Sequence, residues 1–185
     1  MSNRHRAKVI AFLGLLSLPC AEADMMTHAP AAFQLTSPAF NNGDAIPPPY
    51  ACDGMNSSPP LAWTDPPAGT QSLALIVKDP DAPGGNFYHW VVYNIPSSQR
   101  SLQKTYKWPS RQPDGTLQGI NDFGKVGYGG PCPGPVRTHR YIFTLYALDT
   151  RLPQTFGYRA GDLGLVMDGH ILAKAQLTGT YRRMF

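Results

Sequence analysis

The stretch Ser72–Pro96, SLALIVKDPDAPGGNFYHWVVYNIP, decides the architecture. Ser72 to Lys78 is almost continuously apolar, the pattern of a strand buried on both faces. His89 to Ile95 is rich in β-branched and aromatic residues and reads as a second strand. Between them stand Asp79-Pro80-Asp81-Ala82-Pro83 and then Gly84-Gly85, residue types that favour a turn. Two such strands joined this closely are expected to pair antiparallel. The end of the first then lies beside the start of the second, so Asp79 and His89 share one rim of the sheet.

Working outward, Arg140 to Leu148 (RYIFTLYAL) is a third strand. It is entered through Gly127-Tyr128-Gly129-Gly130-Pro131-Cys132-Pro133 and begins near His139. Strand alternation puts His139 and Tyr141 on one face and Arg140 on the other. Phe33–Thr36 and Leu61–Trp63 are shorter strand candidates. Ala160 to Gln176 has no proline, and its Leu163, Val166, Met167, Ile171, Leu172 and Ala175 recur at helical spacing. Asp162 suits a helix N-terminus, and Gly169 predicts a break into two short helices. Leu177 to Tyr181 reads as a short final strand. The 19 prolines and 18 glycines cluster between the apolar runs. The fold class is therefore mainly β, with short C-terminal helices.

The N-terminus has a separate purpose. Arg4, Arg6 and Lys8 precede the apolar run Val9 to Leu18, and Ala21-Glu22-Ala23 follows. That order is a secretory signal peptide over residues 1–23, and it predicts a periplasmic or secreted protein. The run is about half the length of a membrane-spanning helix, so no integral membrane segment is expected after cleavage. Cys20 raises the alternative of a lipoprotein, but Pro19 directly before it fits that poorly. Residues 24–32 read as a flexible leader and residues 33–185 as one domain. Cleavage removes Cys20 and leaves Cys52 and Cys132. In an oxidising compartment two cysteines suggest one disulfide, with two buried free thiols as the alternative. Such a bond could contribute up to about 4 kcal/mol by closing a long loop.

Charge excludes more than it indicates. The chain carries +4, but Arg4, Arg6, Lys8 and Glu22 leave with the signal, so the mature part has 13 basic against 11 acidic residues. No basic run stands out beyond Arg182-Arg183, and nucleic-acid binding has no support.

Two aspartates (Asp79, Asp81), two histidines (His89, His139) and Tyr141 thus converge at one end of an apolar sheet, next to the Gly129-Gly130-Pro131 loop. Each has an ordinary reading: Asp before Pro as a turn former, His as a hydrogen-bonded structural residue, Tyr as core. Their convergence favours a site.

Several motifs also resemble one family. DPDAP (79–83), HWVVYNIP (89–96), QGINDFG (118–124), GYGGPCP (127–133) and HRY (139–141) are similar to the bacterial branch of the phosphatidylethanolamine-binding proteins, or Raf kinase inhibitor-like proteins. CDGMNSSPPLAW (52–63) and GHILAKAQLTGTY (169–181) extend the likeness to about 33–182. The resemblance implies a large central β-sheet with a second, smaller sheet. It implies a pocket for phosphate, phosphorylethanolamine and similar anions, lined here by Asp79, Asp81, His89, Gly129, Gly130, Pro131, His139 and Tyr141. It also implies a tendency to form homodimers. The segment after DPDAP is shorter than in eukaryotic members and the C-terminus differs, so kinase inhibition does not carry over.

The expected chemistry is anion binding by glycine-loop N–H groups, the Tyr141 hydroxyl and an imidazole that one Asp orients and charges. Binding should then strengthen below about pH 6.5, the ordinary histidine value. The reading is a non-enzymatic module for a small anion or phosphorylated head group, with no cofactor. A modulator of an unidentified protein partner is the alternative, and a hydrolase or a metal site follows well behind: no nucleophile sits in a recognisable elbow, and the His and Asp spacing matches no metal signature.

Overall fold

The structure is a computed structural model, and it describes residues 32–105, 109–135 and 137–183. The expected signal peptide, and the leader apart from Ala32, lie outside the described residues. Ten elements follow in chain order. They are β1 (Leu35–Thr36), a 3-10 turn (Pro48–Tyr50), β2 (Leu61–Trp63), β3 (Ser72–Asp79), β4 (Phe87–Pro96), β5 (Ser101–Leu102), β6 (Leu117–Gln118), β7 (His139–Leu148), α1 (Ala160–Met167) and β8 (Ile171–Tyr181).

Five strands form a large antiparallel sheet in the order β6-β4-β3-β7-β8, and three form a small one in the order β1-β2-β5. β3 lies at the centre of the large sheet, and this explains its continuous apolarity. Leu73, Leu75 and Val77 enter the core shared with Leu61, Trp63 and Leu102 of the small sheet. Ala74 and Ile76 enter a second core on the opposite face, under Ala160, Leu163 and Met167 of α1. The chain is thus mainly β with one short helix and two sheets.

The C-terminal expectation needs correction. Helical spacing holds through Met167, where Asp162 accepts the Arg159 backbone N–H at the helix start. Gly169, at φ +78°, then breaks the helix in the left-handed region that glycine enters without strain. No second helix follows. Ile171 to Tyr181 is one strand paired with β7 along its length. Ala175, Leu177, Gly179 and Tyr181 point inward at a period of two, while Leu172, Lys174 and Gln176 are exposed. Short apolar runs satisfy both periods, and the unpaired edge of β7 decides between them.

β4 departs from regular pairing twice. Leu73 opposes Ile95 but Leu75 opposes Val92, so one extra residue sits between. Asn94 takes φ +57° in this bulge. Its amide donates to the Leu152 carbonyl at 3.0 Å and its oxygen accepts the Leu152 N–H at 2.8 Å. Both residues are buried. The second extra residue is His89, because Val77 opposes Trp90 while Lys78 opposes Tyr88. A bulge re-aims the side chain it carries. His89 and Trp90, adjacent in sequence, accordingly both reach the side of the sheet that holds Tyr141 and Val77.

Asn94→Ala should leave the Leu152 backbone unsatisfied and force alanine into the left-handed region. The expected loss is about 3 kcal/mol in urea unfolding. Asn94→Gly, which relieves only the backbone strain, should lose less.

Candidate ligand pocket

The rim of β3, β4 and β7 encloses a pocket of about 300 Å³. Asp79, His89 and His139 form its polar base, and Ala82, Pro83, Phe87 and Phe123 form an apolar wall. Cys132, Pro133 and Gly134 complete the rim.

Asp79 is almost fully buried, and both its oxygens are engaged. Oδ1 accepts the Asp81 backbone N–H at 2.8 Å, which closes the DPDAP turn, and Oδ2 accepts from His139 Nδ1 at 2.7 Å. His89 Nδ1 lies 2.7 Å from the Gly129 carbonyl. A carbonyl or carboxylate can only accept, so Nδ1 is the donor in both rings and Nε2 is the nitrogen left for a ligand. Burial pushes the His89 pKa below its ordinary 6.5, although the Gly129 carbonyl and the Asp79 charge pull the other way.

Tyr141 is 1% exposed. Its hydroxyl has no hydrogen-bond partner among the described residues, although the Asp79 carboxylate and the Cys132 backbone are close. Burial, and then the Asp79 charge, hold its pKa far above the usual range, so the hydroxyl keeps its proton. Aromatic edges fix the imidazole of His89. Its ring centroid lies 5.1 Å from Tyr141, 5.3 Å from Phe123 and 5.1 Å from Phe87.

The structure thus brings Asp79, His89, His139 and Tyr141 together. It assigns the other expected residues different tasks. Asp81 faces Arg140, accepting from its backbone N–H at 2.9 Å and from its guanidinium at 2.9 and 2.7 Å. Arg140 projects from the face of β7 opposite His139 and Tyr141, so Asp81 braces the outside of the turn. In the glycine loop, the Gly129 N–H donates to the His89 carbonyl at 2.9 Å and the Gly130 N–H donates to Asn56 at 2.6 Å, while Pro131 has no N–H. The loop therefore positions an imidazole and does not offer these amides to an anion. Glycine is required at 130 because a Cβ there would lie 2.4 Å from the Tyr50 carbonyl oxygen.

The aromatic wall escaped the sequence reading. Phe87 stands directly opposite Asp79 in the β3–β4 register, so it was within reach of the rim argument. Phe123 had no such signal. It is carried by a loop that Asn121 folds, through bonds to Phe123 N–H, Lys125 N–H and the Gly127 carbonyl. The disulfide is present, joining Cys52 to Cys132 with Cα atoms 5.4 Å apart. Among the described residues no group of three or more His, Cys, Asp or Glu is arranged to hold a metal ion.

Two antiparallel sheets, a bulged histidine and an Asp–His pair at a strand rim define a class of β-rich pocket proteins, and comparison with known proteins names it. Residues 36–182 match the family described as "Phosphatidylethanolamine-binding protein". The chain belongs to that family. An uncharacterised protein of group UPF0098 from Methanothermobacter thermautotrophicus is 49% identical, covering 80% of this chain and 98% of its own. Another from Aquifex aeolicus is 48% identical, covering 83% of this chain and 90% of its own. Among solved structures, Escherichia coli YbcL superposes with a TM-score of 0.76 at 35% identity. A phosphatidylethanolamine-binding protein homologue from Chlamydia trachomatis gives 0.75 at 43%. Each covers 82% of this chain, and this chain covers 98% of each.

The Arg140 guanidinium beside Asp81 holds its carboxyl at about 2, below the ordinary 3.8. Stability from this pair is therefore present above pH 3.8 and lost as pH falls through about 2. In Arg140→Gln the Asp81 carboxyl, followed by carbon-13 NMR, should titrate close to 3.8.

Proposed function

We propose that this protein binds a small anion or phosphorylated head group in the pocket, without catalysing a reaction, in the periplasm or outside the cell. One observation carries the reading: buried His89 and His139 line the pocket with Nδ1 tied to Gly129 and Asp79, which leaves Nε2 of each for a ligand, and the buried Tyr141 hydroxyl lies beside them without a hydrogen bond of good geometry. A buried polar group left unpaired costs about 1–3 kcal/mol, and an anion oxygen supplies the missing acceptor. With Nδ1 already carrying the proton, Nε2 of His89 or His139 donates to an anion only in the protonated ring. Asp79 keeps its negative charge although both its oxygens accept from donors of the protein, so an anion is held there only where a protonated His89 offsets that repulsion.

The pH dependence has two opposed parts. Without ligand, neutral His89 contributes stability that is present above pH 6.5 and lost as pH falls through its lowered pKa. An anion favours the protonated imidazole, so binding takes up a proton and strengthens on acidification. Sulfate is the clean probe, since its charge is constant in this range. The expected result is a lower unliganded Tm at pH 5.5 than at 7.5, with a larger Tm increase from sulfate at pH 5.5. An increase that is equal at both values would remove His89 from the site.

Tyr141→Phe separates ligand binding from packing. Removing an unpaired buried hydroxyl should leave Tm unchanged or raised, and should weaken sulfate binding about tenfold in calorimetry. Unchanged affinity would count against the binding reading.

A modulator of another protein is the second reading. Its support is the exposed pair Phe123 and Val126 on one loop, of which Phe123 also lines the pocket.

A further inference from the structure

The disulfide is part of the ligand pocket and not a remote staple. Cys132 belongs to the pocket rim and is exposed, while Cys52 is half-buried. The guanidinium of Arg183 lies 3.9 Å from the Cys132 sulfur. A cation at that distance draws an approaching thiolate and stabilises the one left behind.

The two loops that the bond joins are also held without it. The Cys52 N–H donates to the Pro131 carbonyl at 3.0 Å, the Gly130 N–H to Asn56 at 2.6 Å, and the Tyr128 hydroxyl to the Tyr50 carbonyl at 2.8 Å. Breaking the sulfur bond therefore leaves the two cysteines facing each other in a folded site, ready to re-form it.

We propose that Cys52–Cys132 is a reversible thiol–disulfide exchange site that opens into the pocket, reacts preferentially with small anionic thiols, and is shielded by an anion bound there. The shielding rests on the binding function proposed above. In the exchange, a thiolate RS⁻ attacks the Cys132 sulfur, the protein S–S bond breaks, and its electron pair leaves on Cys52. A second RS⁻ attacks the external sulfur of the mixed disulfide, releasing RSSR and leaving Cys132 as a thiolate. Protons from water restore both thiols, so two RSH reduce one disulfide.

The test follows reduction of the folded protein by alkylation and intact mass, with 2-mercaptoethanesulfonate compared with neutral 2-mercaptoethanol. Sulfate is added against chloride at matched ionic strength, and sulfate binding is measured separately by calorimetry. At sulfate nine times its Kd, full shielding slows reduction about tenfold. Arg183→Gln should slow the sulfonate thiol several-fold relative to the neutral one. Sulfate that binds in calorimetry but leaves reduction unchanged overturns the exchange site and spares the binding function. Sulfate that fails to bind overturns the binding function and the shielding with it. Reduction that proceeds only together with loss of near-ultraviolet circular dichroism also overturns the proposal.

Discussion

One buried carboxylate organises the site. Asp79 ends β3, the central strand of the large sheet, and its two oxygens point two ways. Oδ1 closes the DPDAP turn and Oδ2 fixes the first residue of β7. A carboxylate with donors on both oxygens is tolerated in the interior where a bare one is not. Neither contact is interchangeable with the other. Without the turn, Ala82 and Pro83 lose their place in the pocket wall. Without the imidazole bond, the His139 ring is free to rotate and its remaining nitrogen has no set direction.

The second histidine is placed by backbone. His89 occupies a bulge, and its Nδ1 and its own carbonyl are both tied to Gly129, by the ring donating and by the amide returning. The loop that sequence logic offered to the ligand thus holds the ligand-facing ring instead. This shifts the chemistry of the pocket. Its candidate donors are side chains, a phenol and two imidazoles whose Nε2 donates only in the protonated ring, and one of the imidazoles has its proton affinity lowered by burial. Such a site responds to pH in a way that a cradle of backbone amides cannot, because amides carry no titratable charge.

Much of this was legible in the sequence. The three long strands, the shared rim of Asp79 and His89, and the common face of His139 and Tyr141 followed from burial pattern and alternation. What was not legible came from extra residues and from long-range competition. Alternation alone puts His89 and Trp90 on opposite faces, and a bulge, which leaves no clear mark in the residue string, puts them together. The apolar residues of Ile171–Tyr181 fit both the helical and the strand period, and only pairing with β7 selects one. Its place just past the end of β3 puts Asp81 among the expected pocket residues, yet Arg140, one residue beyond His139 and on the other face, claims its carboxylate.

The wall explains why the pocket is more than a charged notch. Phe87 and Phe123 meet edge to face at 4.7 Å, and both lie against the His89 ring. They remove water from one side of the imidazole, which lowers its charge when the site is empty, and they leave its Nε2 side to the polar base. An anion bound as proposed would meet donors in a partly dehydrated space, where each hydrogen bond to charge is worth more than at an open surface. The same apolar wall offers a hydrated anion no polar contact of its own. Under the proposed binding function, selection by this pocket would turn on what the anion is attached to: a group that covers Phe87 and Phe123 adds buried apolar area, while a bare ion leaves the wall exposed to water.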